Sequence, residues 1–250
     1  MRGASDPARA GSWRGMAARL SAIDACAVLR RRALATALAA AGMLSPGASF
    51  SALDLNRLQQ AAQALGTRAE RSVFELRELL TRLQAQDDAA RIEQVNSFIN
   101  RRVSFSTDPQ VWNQPDYWAS PLETLHRGQG DCEDYAIAKY FTLRASGMAA
   151  SRLRLVYVRA VLPPTPGQPT GPQPHMVLAY YADNDAEPLI LDNLVPDIRP
   201  ASRRPDLTPV FSFNGEGLWN GAGPQSAGDP QARLSRWREV LMKARAEGFE

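Results

Sequence analysis

The chain has 250 residues, of which 44% are hydrophobic and 22% are charged, so it is long enough for one domain with a sizeable core. Its formal net charge is +3, but residues 1–50 carry seven arginines against Asp6 and Asp24, a net charge of +5 that leaves about −2 for residues 51–250. Because a nucleic-acid-binding domain needs a basic face, this distribution argues against that class of function.

The N-terminus has the order of an export signal. Three arginines at 30–32 precede a short apolar run at 33–44, and the small-residue sequence SPGAS follows. The apolar run is too short to span a bilayer comfortably. We predict a signal peptide over 1–49, with Met16 as an alternative start and twin-arginine export as an alternative route. We also predict a single domain over 50–250 and a periplasmic location. A helix packed on the domain is the alternative, which the nearly uniform, alanine-rich run fits less well.

The chain has two cysteines, Cys26 and Cys132. Cys26 precedes the arginine cluster, so it is wrongly placed for a lipoprotein anchor and leaves with the signal peptide. The mature protein would then hold Cys132 as its only thiol. Since exported proteins usually pair their cysteines or lack them, a lone thiol indicates a chemical role.

Three amphipathic helices are predicted after the signal peptide. Apolar residues recur at helical spacing in 53–66, 71–86 and 88–103, and Gly66 ends the first helix. Arginines and glutamates on the opposite faces are expected to be solvated surface. The predicted inward-facing residues are Leu55, Leu58, Ala62, Leu65, Val73, Leu76, Leu80, Leu83, Ile92, Val95 and Ile99.

Residues 106–130 are predicted to be irregular, because three X-Pro pairs interrupt the segment. Two interpretations stay open for this segment, a loop held by aromatic packing and a loop that lines a cleft. Its aromatic residues are Trp112, Tyr117 and Trp118.

The second half of the chain alternates between helix and strand patterns. A helical stripe at 132–147 begins at or next to Cys132, and an amphipathic helix is predicted at 230–248. A proline-rich segment before His175 is expected to be poorly ordered, and residues 183–187 read as a hairpin turn. Helices followed by successive strands indicate an α+β fold with a mainly antiparallel sheet. The predicted strands are 153–161, 175–181 and 188–194.

Cys132 has the setting of a nucleophilic thiol. A thiolate is the reactive form, and its pKa falls when the sulfur lies at a helix N-terminus or beside an imidazole. Gly130 allows a sharp turn before the helix that begins at the cysteine, which supplies the first arrangement. The imidazole must come from His126 or His175, because the chain has two histidines.

His175 opens one predicted strand, and Asp192 lies near the end of the next. If the two strands pair as a hairpin, the start of the first faces the end of the second, so Asp192 would lie beside His175 and orient it. Taken singly, a surface histidine and a turn cap are the simpler interpretations of these residues. Their combination with the lone Cys132 favours a catalytic triad.

The sequences GDCEDYAIAKYFTLRASG, LRLVYV, HMVLAYY and LILDNL resemble the bacterial transglutaminase-like cysteine proteinases, specifically the LapG type, from about Trp112 to Trp219. The resemblance implies a papain-like, transglutaminase-like core with a helical N-terminal part and an antiparallel sheet. It implies that Cys132 is the nucleophile, His175 the general base and acid, and Asp192 the orienting carboxylate.

The resemblance also implies Ca²⁺ beside the nucleophile, held by Asp131 and Glu133, with Asp134 as a further candidate ligand. Calcium prefers hard oxygen ligands, and carboxylates that hold a dication no longer raise the pKa of a neighbouring thiol. The simpler interpretation is that Asp131 caps the helix and Glu133 favours its first turn. The two roles are compatible.

The resemblance further implies a function and two partners. Proteases of this type are periplasmic and cleave the N-terminal region of a large surface adhesin at a di-alanine site, which releases the adhesin and disperses the biofilm. They are restrained by LapD, an inner-membrane receptor for cyclic-di-GMP, which sequesters the protease when the dinucleotide is abundant.

Three alternative functions are compatible with the sequence. A transglutaminase-like acyl-transferase would form the same thioester and differ only in the second nucleophile. A non-catalytic periplasmic binding module would function without Cys132. A cell-wall hydrolase would share the Cys–His pair, but this class usually has a polar third residue and lacks the GDCEDYA context.

Overall fold

The computed structural model describes residues 53–162, 171–183 and 186–250. The predicted signal peptide, Cys26, most of the proline-rich segment and the centre of the predicted 183–187 turn lie outside these residues. Among the described residues, no helix is long and apolar enough to cross a membrane.

The chain begins with three helices, α1 (Leu55–Leu65), α2 (Thr67–Leu83) and α3 (Asp88–Arg102). Asp54 and Asp87 cap the starts of α1 and α3 through their side chains. The three predicted helices are confirmed, and most of their inward-facing residues are buried. The inward assignment is wrong for the first and last residues of α1, which are 41% and 44% exposed, because only the middle turns of this short helix contact the core.

The segment predicted to be irregular holds two short helices, α4 (Asp108–Val111) and α5 (Pro121–Arg127). The expectation was wrong there because proline fits the first helical turn, where its missing N–H is not needed. Ser120 and Glu123 complete a capping box at the start of α5. Strands β1 (Ser104–Phe105) and β2 (Gln129–Gly130) pair in parallel across this segment.

Helix α6 (Cys132–Ala145) is the centre of the fold. It packs against α3 and α5 on one side and against the sheet on the other, so every residue from Asp134 to Leu143 is buried. A helix enclosed in this way is apolar around most of its circumference. Gly147, at φ 94°, follows its C-terminus as predicted.

A seven-stranded antiparallel sheet covers one side of α6. Its spatial order is β6-β5-β4-β3-β7-β8-β9, and turns of 3-10 helix at 150–152 and 201–203 precede β3 and β7. The strands are β3 (Leu153–Val161), β4 (Pro172–Tyr180), β5 (Leu189–Leu191), β6 (Arg199–Pro200), β7 (Leu207–Phe213), β8 (Leu218–Asn220) and β9 (Ser226–Gly228).

The three predicted strands are present, although β4 starts three residues early and β5 is shorter than predicted. Leu178 pairs with Leu191 across β4 and β5, so these strands form the expected antiparallel pair. Together with the helical N-terminal part, the sheet confirms the predicted α+β fold.

The predicted C-terminal helix is divided into α7 (Pro230–Arg233) and α8 (Ser235–Ala246). The single-helix prediction fails at Leu234, whose backbone is extended with ψ 92°. The break lets Trp237 point into the core, where it is fully buried and its ring centroid lies 5.6 Å from that of Tyr140. The chain ends beside its beginning, since Phe249 bridges to Leu53.

Two residues on α2 test where the core lies. Leu76 is fully buried, so Leu76→Ala should lower the free energy of unfolding by about 2–5 kcal/mol through the lost contacts and the cavity. Phe74 on the same helix is 62% exposed, so Phe74→Ala should change the free energy of unfolding by less than about 0.5 kcal/mol. Urea denaturation of both variants measures the difference, and equal losses would contradict the assigned core.

Candidate active site

The start of α6 holds Cys132 at a fixed position beside the sheet. Pairing of β1 with β2 anchors the preceding residues, and the N–H of Ser106 donates to the Gly130 carbonyl at 2.9 Å. Asp131 occupies the N-cap position, but its side chain makes no capping hydrogen bond. The capping interpretation of Asp131 is therefore wrong.

Gly130 is required by close packing. A Cβ atom there would lie 2.4 Å from Oδ2 and 2.7 Å from Cβ of Asp134, closer than non-bonded atoms approach. The absent side chain lets the Asp134 carboxylate fold back over the turn, next to Asp131.

The Cys132 thiol lies between an acid and the sheet. Its Sγ donates to Oε2 of Glu133 at 2.7 Å, and the backbone N–H of Met176 lies beside the sulfur. Burial, followed by the Glu133 and Asp131 carboxylates, raises the pKa of the thiol well above its ordinary value, and the Met176 N–H opposes this. In this arrangement the acids suppress ionisation of the thiol.

The structure brings His175 and Asp192 together. Nε2 of His175 lies 2.8 Å from Oδ1 of Asp192, and both side chains are buried. His175 is on β4, and Asp192 directly follows β5, so the antiparallel pairing produces the contact. Because Met176 directly follows His175, one segment of β4 both contacts the thiol and carries the imidazole.

Asp192 is held as a carboxylate. Its burial favours the neutral form, but hydrogen bonds from His175, from the N–H of Leu194 and from Arg204 outweigh burial and lower its pKa to about 2. Since an ionised carboxylate can only accept, Nε2 of His175 must carry the proton. In the neutral imidazole, Nδ1 is then the bare nitrogen that can take a proton.

A second group of carboxylates lies beside the cysteine. Ligand oxygens of Asp108, Asp131 and Asp134 lie within 4.8 Å of one another. One oxygen of each is buried without a hydrogen-bond partner: Asp108 Oδ1, Asp131 Oδ1 and Asp134 Oδ2. Their other contacts fix them, since Ala119 N–H donates to Asp134 at 2.8 Å and Tyr117 N–H donates to Asp108 at 2.6 Å. The aromatic loop, residues 112–119, is therefore packed internally, since the ring centroids of Trp112 and Tyr117 lie 4.6 Å apart, and it also contacts this cluster through its backbone N–H groups.

The carboxylates of this cluster oppose one another's ionisation. Burial and then the charge of Glu133 raise the pKa of Asp131 to about 9, and burial raises the pKa of Asp134 to about 7 despite the Ala119 hydrogen bond. Burial also raises the pKa of Asp108. A cation among the three unpartnered oxygens would remove this repulsion, and hard oxygen donors of this kind suit Ca²⁺.

The sequence-predicted residues therefore divide into neighbouring groups. Asp131 and Asp134 belong to the carboxylate cluster with Asp108. Glu133 belongs to a second group, in which its ligand atom lies within 4.8 Å of those of Asp131 and Cys132. His126 lies on α5, where burial and then Arg127 lower its pKa.

Three residues of the site were missed from sequence. Asp108 precedes a proline that predicts a chain break, and the 22 residues between it and Asp131 give no sign that the two meet. Arg204, which donates to Asp192, lies in no sequence motif that would indicate this contact. Lys139 interrupts the apolar stripe of α6, which was the one available signal, and burial lowers its pKa to about 7 against the charge of Asp192.

Comparison with known proteins identifies the class. Residues 70–205 match the family model of the bacterial transglutaminase-like cysteine proteinases. The chain belongs to this family, and it is a cysteine protease of the LapG-like kind.

The solved relatives include LapG of Legionella pneumophila in several states. Its EGTA-treated form is 38% identical, with a TM-score of 0.66 over 77% of this chain and 98% of that chain. Its calcium-bound form is 37% identical, with a TM-score of 0.63 over 76% of this chain and 99% of that chain. The search of curated proteins found no match.

The close approach at Gly130 can be tested by substitution. Gly130→Ala should lower the free energy of unfolding by about 1–3 kcal/mol, because the added methyl group overlaps the Asp134 carboxylate. Gly215→Ala is the control, since its Cβ would meet its nearest atom, the Tyr140 hydroxyl, at an ordinary 3.5 Å. Chemical denaturation of both variants gives the comparison; a Gly130→Ala protein as stable as the control would contradict the packing.

Proposed function

We propose that this protein is a calcium-dependent periplasmic cysteine endopeptidase that cleaves the N-terminal region of a large surface adhesin at a di-alanine site. Cleavage would release the adhesin and promote biofilm dispersal, under control of a LapD-type receptor for cyclic-di-GMP. The observation that carries the proteolytic step is the buried His175–Asp192 pair, whose histidine lies on β4, the strand beside the Cys132 sulfur.

In the proposed mechanism, Cys132, His175 and Asp192 form the triad. Nδ1 of His175 takes the thiol proton while Nε2–H stays bonded to Asp192. The thiolate attacks the scissile carbonyl carbon, and the imidazolium then gives its proton to the leaving amine. Water, activated by His175, hydrolyses the remaining thioester and restores the thiol. The backbone N–H of Cys132, at the start of α6, is the natural first donor to the oxyanion.

The proposed calcium site consists of Asp108, Asp131 and Asp134, with Glu133 as a neighbouring ligand. Support comes from the three buried oxygens that have no partner and from the calcium-bound structure of the Legionella relative. Bound calcium would supply positive charge beside the nucleophile. Glu133 and Asp131 would then no longer raise the pKa of the thiol, and the helix N-terminus would favour the thiolate.

The proposed location and partners rest on the sequence and the family. The N-terminal export pattern supports a periplasmic enzyme, and the resemblance to LapG-type proteases supports an adhesin substrate and a LapD-type receptor. The net charge of about −2 outside residues 1–50 gives no support to a nucleic-acid partner.

Cleavage tests the function directly. The purified protein is mixed with the N-terminal fragment of the largest repeat adhesin encoded in the same genome, and fragment masses are read. We expect one cut between two alanines, and its loss in Cys132→Ala, His175→Ala and Asp192→Ala while circular dichroism shows an unchanged fold. Cleavage that survives in the first two variants would refute the triad.

Two other products would redirect the assignment. A joined pair of chains in place of two fragments would indicate the acyl-transferase. An intact adhesin fragment in every sample of folded protein would indicate a different peptide substrate or a binding module.

Substitution of Asp108, a proposed ligand that the sequence did not predict, tests calcium binding. Asp108→Asn should weaken binding about tenfold or more, because calcium affinity depends on the number of charged ligands. The amide oxygen can still accept from Tyr117 N–H, so the fold should be kept. Isothermal titration with calcium chloride measures the affinity, and cleavage should also fall when a chelator is added.

Asp197→Asn is the control for this titration, because Asp197 is exposed and paired with Arg199 away from the cluster. It should bind calcium like the unmodified protein. Equal affinity in Asp108→Asn and Asp197→Asn would exclude Asp108 from the site, and cleavage that is indifferent to the chelator would remove the calcium requirement.

A further inference from the structure

We propose that Arg204 is a positioning residue for the proposed protease, which holds Asp192 in the rotamer that orients His175. The inference rests on the proposed triad, and it assigns to Arg204 no contact with substrate. It follows from how the two oxygens of Asp192 are divided among their partners.

Arg204 lies directly behind the His–Asp pair. Its Nη2 donates to Oδ2 of Asp192 at 2.8 Å, while Oδ1 of Asp192 is the atom that contacts His175. The Leu194 N–H donates to the same Oδ1 at 3.0 Å. Each carboxylate oxygen therefore has its own partners, and rotation about the Cβ–Cγ bond would break bonds on both sides.

Arg204 also contacts a second carboxylate. Nε of Arg204 donates to Asp206 Oδ1 at 3.0 Å, and Nη2 donates to Asp206 Oδ2 at 2.7 Å. The planar guanidinium can bridge two carboxylates in this way, whereas an ammonium group cannot present the same fork. Arg204 is 2% exposed, so its place is set by the protein and not by solvent.

The burial of Asp192 makes its hydrogen bond from Arg204 difficult to replace. Asp192 is 1% exposed, so a lost hydrogen bond to Oδ2 cannot simply be replaced by bulk water. The charged groups that face Asp192 are His175 on β4, Lys139 on α6 and Arg204 after the 201–203 turn. Of these, Arg204 is the cation bonded to the oxygen that His175 does not use, so its removal frees the carboxylate to turn away from the imidazole.

The first test measures catalysis. Arg204→Gln should lower kcat/KM for the adhesin fragment about 10²-fold, the loss that a displacement of about 1 Å at a catalytic group causes. Arg204→Lys, which keeps the charge but not the fork, should recover part of this loss. Asp206→Asn is the matched control, because it removes the charge of the second carboxylate but keeps an amide oxygen that can accept from Nε of Arg204, and it leaves the Asp192 contact in place. It should retain most of the activity.

The second test needs no substrate. The chain has two histidines, so ¹⁵N-histidine labelling of the full chain, without a histidine tag, gives two ring systems, and His126 on α5 serves as the internal reference. In the unmodified protein the Nε2–H proton of His175 should appear downfield and exchange slowly with water. In Arg204→Gln it should move upfield and exchange faster, while Asp206→Asn should leave it in place.

The outcomes separate this inference from the proposed function. Loss of both cleavage and the Nε2–H signal in folded Arg204→Gln, with both kept in Asp206→Asn, supports positioning. An unchanged signal in folded Arg204→Gln overturns it, as would equal losses in both variants, which indicate a merely structural arginine. If the unmodified protein cleaves no adhesin, the proposed function fails while the spectra still decide the role of Arg204; if Arg204→Gln does not fold, Arg204→Lys is compared in the same way.

Discussion

The enclosure of α6 is the constraint on which the rest of the structure depends. Because this helix is buried between α3, α5 and the sheet, it cannot slide or rotate without exposing its apolar surface. Its first residue is Cys132, so the packing of the core sets the position of the thiol. Because α6 also packs against β4, the segment around His175 lies next to the sulfur, with the N–H of Met176 beside it.

The carboxylates on the two sides of the thiol lie in opposite electrostatic environments, one that favours ionisation and one that disfavours it. On the sheet side, Arg204 and His175 surround Asp192 and keep it ionised. On the loop side, buried carboxylates that include Asp108 face one another and disfavour their own ionisation. The thiol lies between them, bonded to Glu133. A cation on the loop side would therefore change the charge that the sulfur experiences without altering the His–Asp pair.

The helical and strand patterns were predictable because each is local. Periodic apolar residues placed the three N-terminal helices, and the run at 153–161 placed β3 with its observed bounds. The errors have local causes as well. Proline at 109 and 121 predicts a break but lies in the first turn of a helix, and the extended backbone of Leu234 divides a stretch whose sequence is continuously amphipathic.

The sequence by itself determined the class of fold and a helix start at or next to Cys132, because these patterns are local. It also predicted that His175 lies beside Asp192 on the condition that the two consecutive strands pair, which they do. Only the tertiary structure decided the surroundings of these residues. Asp108 joins Asp131 because the aromatic loop folds back over the start of α6, and Arg204 meets Asp192 because the chain returns after β6. Such contacts join residues that share no periodicity or motif, so they become visible only when the whole chain is packed.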